Sequence, residues 1–210
     1  MRKKWMPTAI LIGFVALGGA AARAQLNLGA SFYRTFTQSS TGNGTVQTPT
    51  DSYGGMLAAR QIRSPFVGYE LGFSLAPDDQ TLAPEAGACG YVCQNKPTKL
   101  TAKDIEIAGD WIVSAKVGAL RPFVLGGLGV VVTATSSGTL DTNTTARVAY
   151  IGGGGADIAL QPRYGLRLQY RESFFKAPNL LPVDPPTGKY TQIGEPMFGF
   201  YINFGGAKAH

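Results

Sequence analysis

Histidine, cysteine and charge are all scarce in this chain of 210 residues. Its one histidine is the last residue, His210, and its two cysteines, Cys89 and Cys93, sit within one short stretch. A general base must be held within hydrogen-bond reach of the proton it takes. A chain end is a poor place to hold one, so histidine-based catalysis is not expected. Two cysteines without a neighbouring histidine are too few for a structural metal site. Charged residues make up 15% of the chain, and mean hydropathy is +0.02. That combination excludes both a disordered polyelectrolyte and a bundle of membrane helices. The excess of 19 Lys and Arg over 13 Asp and Glu suggests affinity for nucleic acid, but Arg2, Lys3, Lys4 and Arg23 belong to an N-terminal segment expected to be removed. Without them the balance is 15 to 13. The basic-surface argument fails there, and no nucleic-acid partner is expected. No cofactor is expected either. Long hydrophobic runs are also missing: Ala9 to Ala20 is the longest, well short of the ~20 residues a helix needs to cross a bilayer.

What is present begins with an export signal. A basic start (Met1 to Trp5), the apolar run and the small residues Ala22-Arg23-Ala24 follow the order of a secretory signal peptide. Cleavage is expected after Ala24, leaving residues 25–210 as one exported domain. In such a chain Cys89 and Cys93 (CGYVC) are expected to form a local disulfide that stiffens a loop.

The remainder alternates with a period of two, the signature of strands. The clearest case is Val67, Tyr69, Leu71, Phe73 and Leu75 against Gly68, Glu70, Gly72 and Ser74. Next to it in clarity, Ile105, Ile107, Trp111 and Val113 oppose Asp104, Glu106, Asp110 and Ser114. Six more segments complete a set of eight: Leu26 to Phe32, Tyr53 to Arg60, Arg121 to Ala134, Arg147 to Leu160, Leu166 to Arg171 and Met197 to Phe204. The fifth and sixth in chain order are glycine-rich (Gly126, Gly127, Gly129, Gly152 to Gly155), and their facing is ambiguous. Glycine there relieves crowding inside a small barrel. The connections alternate strictly between tight ones and long polar loops, the latter at about 37–51, 77–103, 135–146 and 176–194. This predicts an all-β fold, an eight-stranded antiparallel up-and-down transmembrane β-barrel whose two ends face different environments.

One face of the strands is aliphatic and aromatic. The other collects Arg60, Glu70, Asp104, Glu106, Asp110, Arg121, Arg147, Asp157, Arg167, Arg171 and Glu195. A soluble barrel would bury the first face and a membrane barrel the second. Three features favour the membrane. Aromatic residues (Phe32, Phe36, Tyr53, Tyr69, Trp111, Tyr170, Phe198 and Phe204) are placed as an interfacial girdle. The few charges on the apolar face (Arg34, Lys103, Glu172) fall toward the long-loop ends, within reach of head groups. Opposed acids and bases are nearly matched, as in a closed interior network. An eight-stranded lumen is just wide enough for side chains to fill, so no diffusion pore is expected.

The layout and the closing strand, Met197-Phe-Gly-Phe-Tyr-Ile-Asn-Phe204, resemble the OmpA/OmpX type of eight-stranded outer-membrane barrel. The resemblance implies localisation in the outer membrane of a Gram-negative-type bacterium. It also implies an assembly signal at Gly199, Ile202 and Phe204, read by the outer-membrane assembly machinery. Gly205 to His210 extend past the aromatic on which simple barrels of this type often end. Some barrels of this size modify lipid A, but those enzymes, like the omptin proteases, rely on a histidine base. Glu106 and Asp110 could serve as a carboxylate pair; pairing with Arg167 and Arg171 to fill the lumen is the favoured reading. The expected role is therefore structural or adhesive, through the loops and their Leu180-Leu181-Pro182-Val183 patch, with an extracellular partner. Arg34, Lys103 and Lys176 are candidate contacts for lipopolysaccharide phosphates. A lipid-modifying enzyme is the alternative, and a soluble periplasmic barrel binding an apolar ligand the third reading.

Overall fold

The computed structural model describes residues 25–43, 45–63, 66–84, 97–136, 144–178 and 188–204. Its strands are, in chain order, β1 (Gln25–Arg34), β2 (Phe36–Thr37), β3 (Ser40–Gly42), β4 (Thr45–Pro49), β5 (Tyr53–Ile62), β6 (Val67–Pro77), β7 (Gln80–Pro84), β8 (Thr98–Ser114), β9 (Leu120–Ser136), β10 (Thr145–Ala159), β11 (Tyr164–Lys176) and β12 (Tyr190–Phe204). Eight of them close a barrel in the order β1-β5-β6-β8-β9-β10-β11-β12, every pairing antiparallel. The ring shuts where β12 meets β1, with Leu26 opposite Phe204 and Phe32 opposite Phe198.

Period-two patterning decides which face points inward, and polar residues win the interior. Arg60 and Arg171 are 0% exposed, whereas Phe32 is 78% exposed and Phe200 62%. A water-soluble fold does not distribute its side chains this way, because each exposed aliphatic forfeits ~25 cal/mol per Å² of burial. Surrounded by hydrocarbon, the same exterior costs nothing, and all backbone groups are satisfied around the closed ring.

β9 and β10 settle the facing that their glycines obscured. Arg121, Phe123, Leu125, Val131 and Thr133 point inward from β9, and Ala149, Ile151 and Asp157 from β10. Phe123, Leu125 and Ile151 join Ala108 and Ile112 in an apolar wedge within the lumen. Crowding explains the inward glycines: a Cβ on Gly127 would strike the Gly109 carbonyl and Asp110, and one on Gly155 the Leu168 carbonyl. It does not explain Gly152, which faces outward with no neighbour within 4 Å; nothing in the structure accounts for that glycine.

At one end the connections are tight. Val117 and Leu120 exchange hydrogen bonds of 2.8 and 3.0 Å around Gly118, whose φ of 62° is the left-handed conformation that favours glycine. At the other end the strands continue past the ring. β8 and β9 have 17 residues each, against the ~9–11 that a tilted strand needs to cross a bilayer.

Candidate functional site

The lumen is organised in two levels. Nearer the tight turns, Arg60 and Glu70 are direct cross-strand neighbours on β5 and β6, and Arg60 Nε donates to Glu70 Oε2 at 2.8 Å. Asp157 and Arg167 are neighbours in the same way on β10 and β11, with Arg167 Nε donating to Asp157 Oδ1 at 2.7 Å. These two pairs sit on opposite walls of the ring. Across the lumen, Arg60 Nη1 reaches Asp157 Oδ2 at 3.1 Å and Arg167 Nη1 reaches Glu70 Oε2 at 3.3 Å. Two cross-strand pairs therefore become one ring of four charges, each acid touched by two bases. Arg167 Nη2 also donates to Asn27 at 3.1 Å, and Asn27 to Asn203 at 3.0 Å, which ties the ring to the β1–β12 seam. Arg60 lies over the Phe123 ring at 4.1 Å, a desolvated cation–π contact.

Toward the long loops the arrangement changes. One guanidinium, Arg171, serves both Glu106 (2.8 Å) and Asp110 (3.4 Å). Ser173 Oγ donates to the other oxygen of Glu106 at 3.1 Å. The expectation that Glu106 and Asp110 share Arg167 as well as Arg171 needs correction. Arg167 has Asp157 as its register partner and stays at the lower level. Asp104 accepts from Thr133 Oγ1 at 2.6 Å. Glu195 is buried, and its Oε2 has no hydrogen-bond partner. Arg121 and Arg147 face the lumen half-buried, and neither is in an ion pair among the described residues; Arg147 Nη1 donates to the Ala146 carbonyl at 3.4 Å. Glu106 and Asp110 are thus both held by one base, the space-filling arrangement that the sequence favoured over a carboxylate pair.

Above the ring, two stretches expected to be irregular loops are ordered sheet. β3 pairs with β4, β4 with β7, and β7 with the first residues of β8. The link between the first and second long connections is further fixed by Thr50 N donating to the Asp79 carbonyl at 2.8 Å, and by Gln47 Nε2 to Gln80 Oε1 at 3.2 Å. Leu82 and Leu100 form a small core beneath it. β2 adds to β12, where Gln38 N donates to the Gln192 carbonyl at 3.0 Å. Asp78 enters this platform from the rim and receives a hydrogen bond from Gln80 Nε2. Burial pushes the Asp78 carboxyl up to about 6, with the hydrogen bond from Gln80 opposing the shift and the neighbouring Asp79 adding to it. Sequence reasoning missed this platform because its strands are short and polar on both faces.

Around the exterior, Tyr69 and Trp111 meet edge to face at 4.4 Å near the tight turns, while Phe36 and Tyr53 flank Arg34 near the long loops, its guanidinium 4.8 and 5.8 Å from their rings. Arg34 also pairs with Asp51 at 3.3 Å. Lys103 and Lys176 lie on the outward face of β8 and β11, on different sides of the barrel from Arg34. Tyr170 and Phe198 lie well inside their strands rather than at strand ends, because those strands run past the apolar belt. The Tyr170 hydroxyl donates to Glu172 at 3.3 Å, and Glu172 also accepts from Gln192; these polar groups mark the upper edge of the belt. In the closing strand Gly199 points inward against Ser31, where a Cβ would collide, and Ile202 and Phe204 point outward. The signal segment, Cys89 and Cys93, the Leu180–Val183 patch, Gly205 and His210 lie outside the described residues.

The closed ring, the apolar exterior and the charged interior define the class: this is an outer-membrane β-barrel of eight strands. Solved structures agree. The chain is similar to OprG of Pseudomonas aeruginosa, with TM-score 0.60 and 14% identity over 87% of this chain and 97% of that one. It is also similar to Neisserial surface protein A, with TM-score 0.59 and 12% identity over 85% and 97% of the two chains. A third likeness is to Ail, the attachment invasion locus protein of Yersinia pestis, solved with the heparin analogue sucrose octasulfate (TM-score 0.55, 11% identity, 86% and 99% coverage). No family model and no curated protein sequence matches the chain. At these identities the likeness is one of fold.

Proposed function

We propose that this protein is an integral outer-membrane scaffold that meets an extracellular partner through its long-loop end, and that it is not an enzyme. The observation that carries the reading is the pairing of a filled lumen with the ordered platform β3-β4-β7-β8. Arg60 and Arg171, both 0% exposed, occupy the lumen with their partners, so neither level offers a passage to a solute. The part of the molecule built beyond what spanning requires is the platform, and a rigid support for exposed segments is the usual place for recognition. Ail, whose name records attachment and which was solved with a heparin analogue, shares the barrel fold. That supports an adhesive role here by analogy of fold.

The test is replacement of residues 78–102 by scrambled sequence in the folded protein on cells, read as cell adhesion and phage sensitivity. Loss of either supports the proposal; both unchanged overturns it. The membrane partners are outer-membrane lipid and the assembly machinery that reads Gly199, Ile202 and Phe204. Lipopolysaccharide phosphates at Arg34, Lys103 and Lys176 are part of the same reading. Replacing the three with Gln should reduce the lipopolysaccharide that co-purifies, and an unchanged amount rejects those contacts.

A further inference from the structure

The upper lumen holds more acid than its bases can neutralise. Tyr33, Ser74, Asp78, Asp104, Glu106 and Glu195 line one cavity beneath the platform, with about 20 Å³ open to the centre of a water-sized body. Of the bases facing it, Arg171 is committed through Nη1 to Glu106 and through Nη2 to Asp110. Arg147, one strand across from the cavity's Val131, turns to a backbone carbonyl instead. Glu195 is the register partner of Arg171 on the adjacent strand, yet no ion pair joins them. It is 6% exposed, and its Oε2 is buried with no hydrogen-bond partner. A buried carboxylate left this way is costly unless a positive charge reaches it. Among the described residues no group of three or more acidic, histidine or cysteine side chains is placed to hold a metal ion. A chelated divalent ion is therefore the wrong occupant. A single small positive charge fits the volume, and oxygen donors suit a hard cation.

We propose that this cavity binds one monovalent cation of potassium or ammonium size, with the Glu195 carboxylate as its counter-charge and the hydroxyls of Tyr33 and Ser74 as neutral oxygens beside it. The inference is independent of what the platform binds. Its consequence is that small cations in the medium stabilise the mouth of the barrel.

The experiment uses the complete folded barrel in detergent, and reads the temperature at which gel mobility shifts from folded to unfolded. Potassium chloride and ammonium chloride are compared with N-methylglucamine chloride at equal ionic strength, the last cation being too large for the cavity. The midpoint should rise by about 2–4 °C in at least one small-cation salt and saturate; the two salts separate the alkali-metal from the ammonium case. Glu195→Gln should abolish the difference, while Asp51→Asn, at the exterior rim, should keep it. Equal midpoints in all three salts overturn the proposal. So does a Glu195→Gln protein that keeps the difference, or a midpoint that follows pH and ignores cation identity, which assigns a proton to Glu195. Should Glu195→Gln fail to assemble, calorimetric titration of the unmodified protein decides: a saturating heat with potassium or ammonium chloride supports the site, and a linear one overturns it.

Discussion

The two levels of the lumen use the same residue types and reach different ends. At the lower level two bases meet two acids in a closed ring, and every charge has partners on both walls of the barrel. At the upper level one base is divided between Glu106 and Asp110, while Asp104 and Glu195 stand without an ion pair. Composition alone does not make a network. Near-equality of bases and acids across residues 25–210, 15 against 13, conceals a local surplus of acid beneath the platform. A balanced ring locks the ring of strands together; an unbalanced one leaves a site that responds to its surroundings.

Four substitutions test this contrast, taken in falling order of consequence. Arg60→Ala should be the most damaging, because it leaves Glu70 and Asp157 buried with half their partners and empties the space over Phe123. We expect a loss of ~3–5 kcal/mol of unfolding free energy in lipid vesicles, measured by urea titration with tryptophan fluorescence. A loss below ~1 kcal/mol would mean that the lower ring is no lock. At the upper level the sign should reverse. In N-methylglucamine chloride, Glu195→Gln should raise stability by ~1–3 kcal/mol by removing an uncompensated charge, as read by the same titration; a destabilised variant would place Glu195 in a satisfied network.

The platform supplies a pH test. The Asp78 carboxyl sits at about 6 when folded, above its ordinary value of ~3.9. The folded state therefore binds the extra proton, so the Asp78 contribution is fully present below pH ~4 and is lost as pH rises through 6. Thermal midpoints at pH 5 and pH 8 should differ in this direction, and Asp78→Asn should narrow the gap; an unchanged gap removes Asp78 as its source. The smallest effect lies outside the lumen. Trp111→Ala gives up its edge-to-face contact with Tyr69, worth ~0.5–1.5 kcal/mol beyond area, and should lower the unfolding midpoint slightly without altering cation dependence.

Much of the barrel was legible in the sequence because β6 and β8 alternate strictly, placing Glu70, Glu106 and Asp110 opposite a row of aliphatics. β9 was not, because it is apolar on both sides: Phe123, Leu125 and Val131 fill the lumen while Val124, Leu128 and Val130 face lipid. Facing requires contrast, and β9 has little. Arg171 was legible as the partner of Glu106 and Asp110, which it does hold, but Arg167 was wrongly added to it, since its register partner is Asp157. Which acids a given base meets across the lumen depends on register: Arg171 on β11 reaches Glu106 on β8, three strands away around the ring. The polar strands β4 and β7 carry no amphipathic signal at all; pairing between two separate connections creates them.

The seam between β1 and β12 joins residues from the beginning and the end of the described chain: Asn27 bonds Asn203, and Leu26 faces Phe204. In time rather than space, this means that β1 must wait for β12. One edge of β1 is covered by β5, but the edge that faces β12 stays open until that strand arrives, the condition under which exposed strands pair with strangers. Closure therefore waits on delivery of the fifteen-residue β12, and until then the seam edge of β1 has to be kept from other strands.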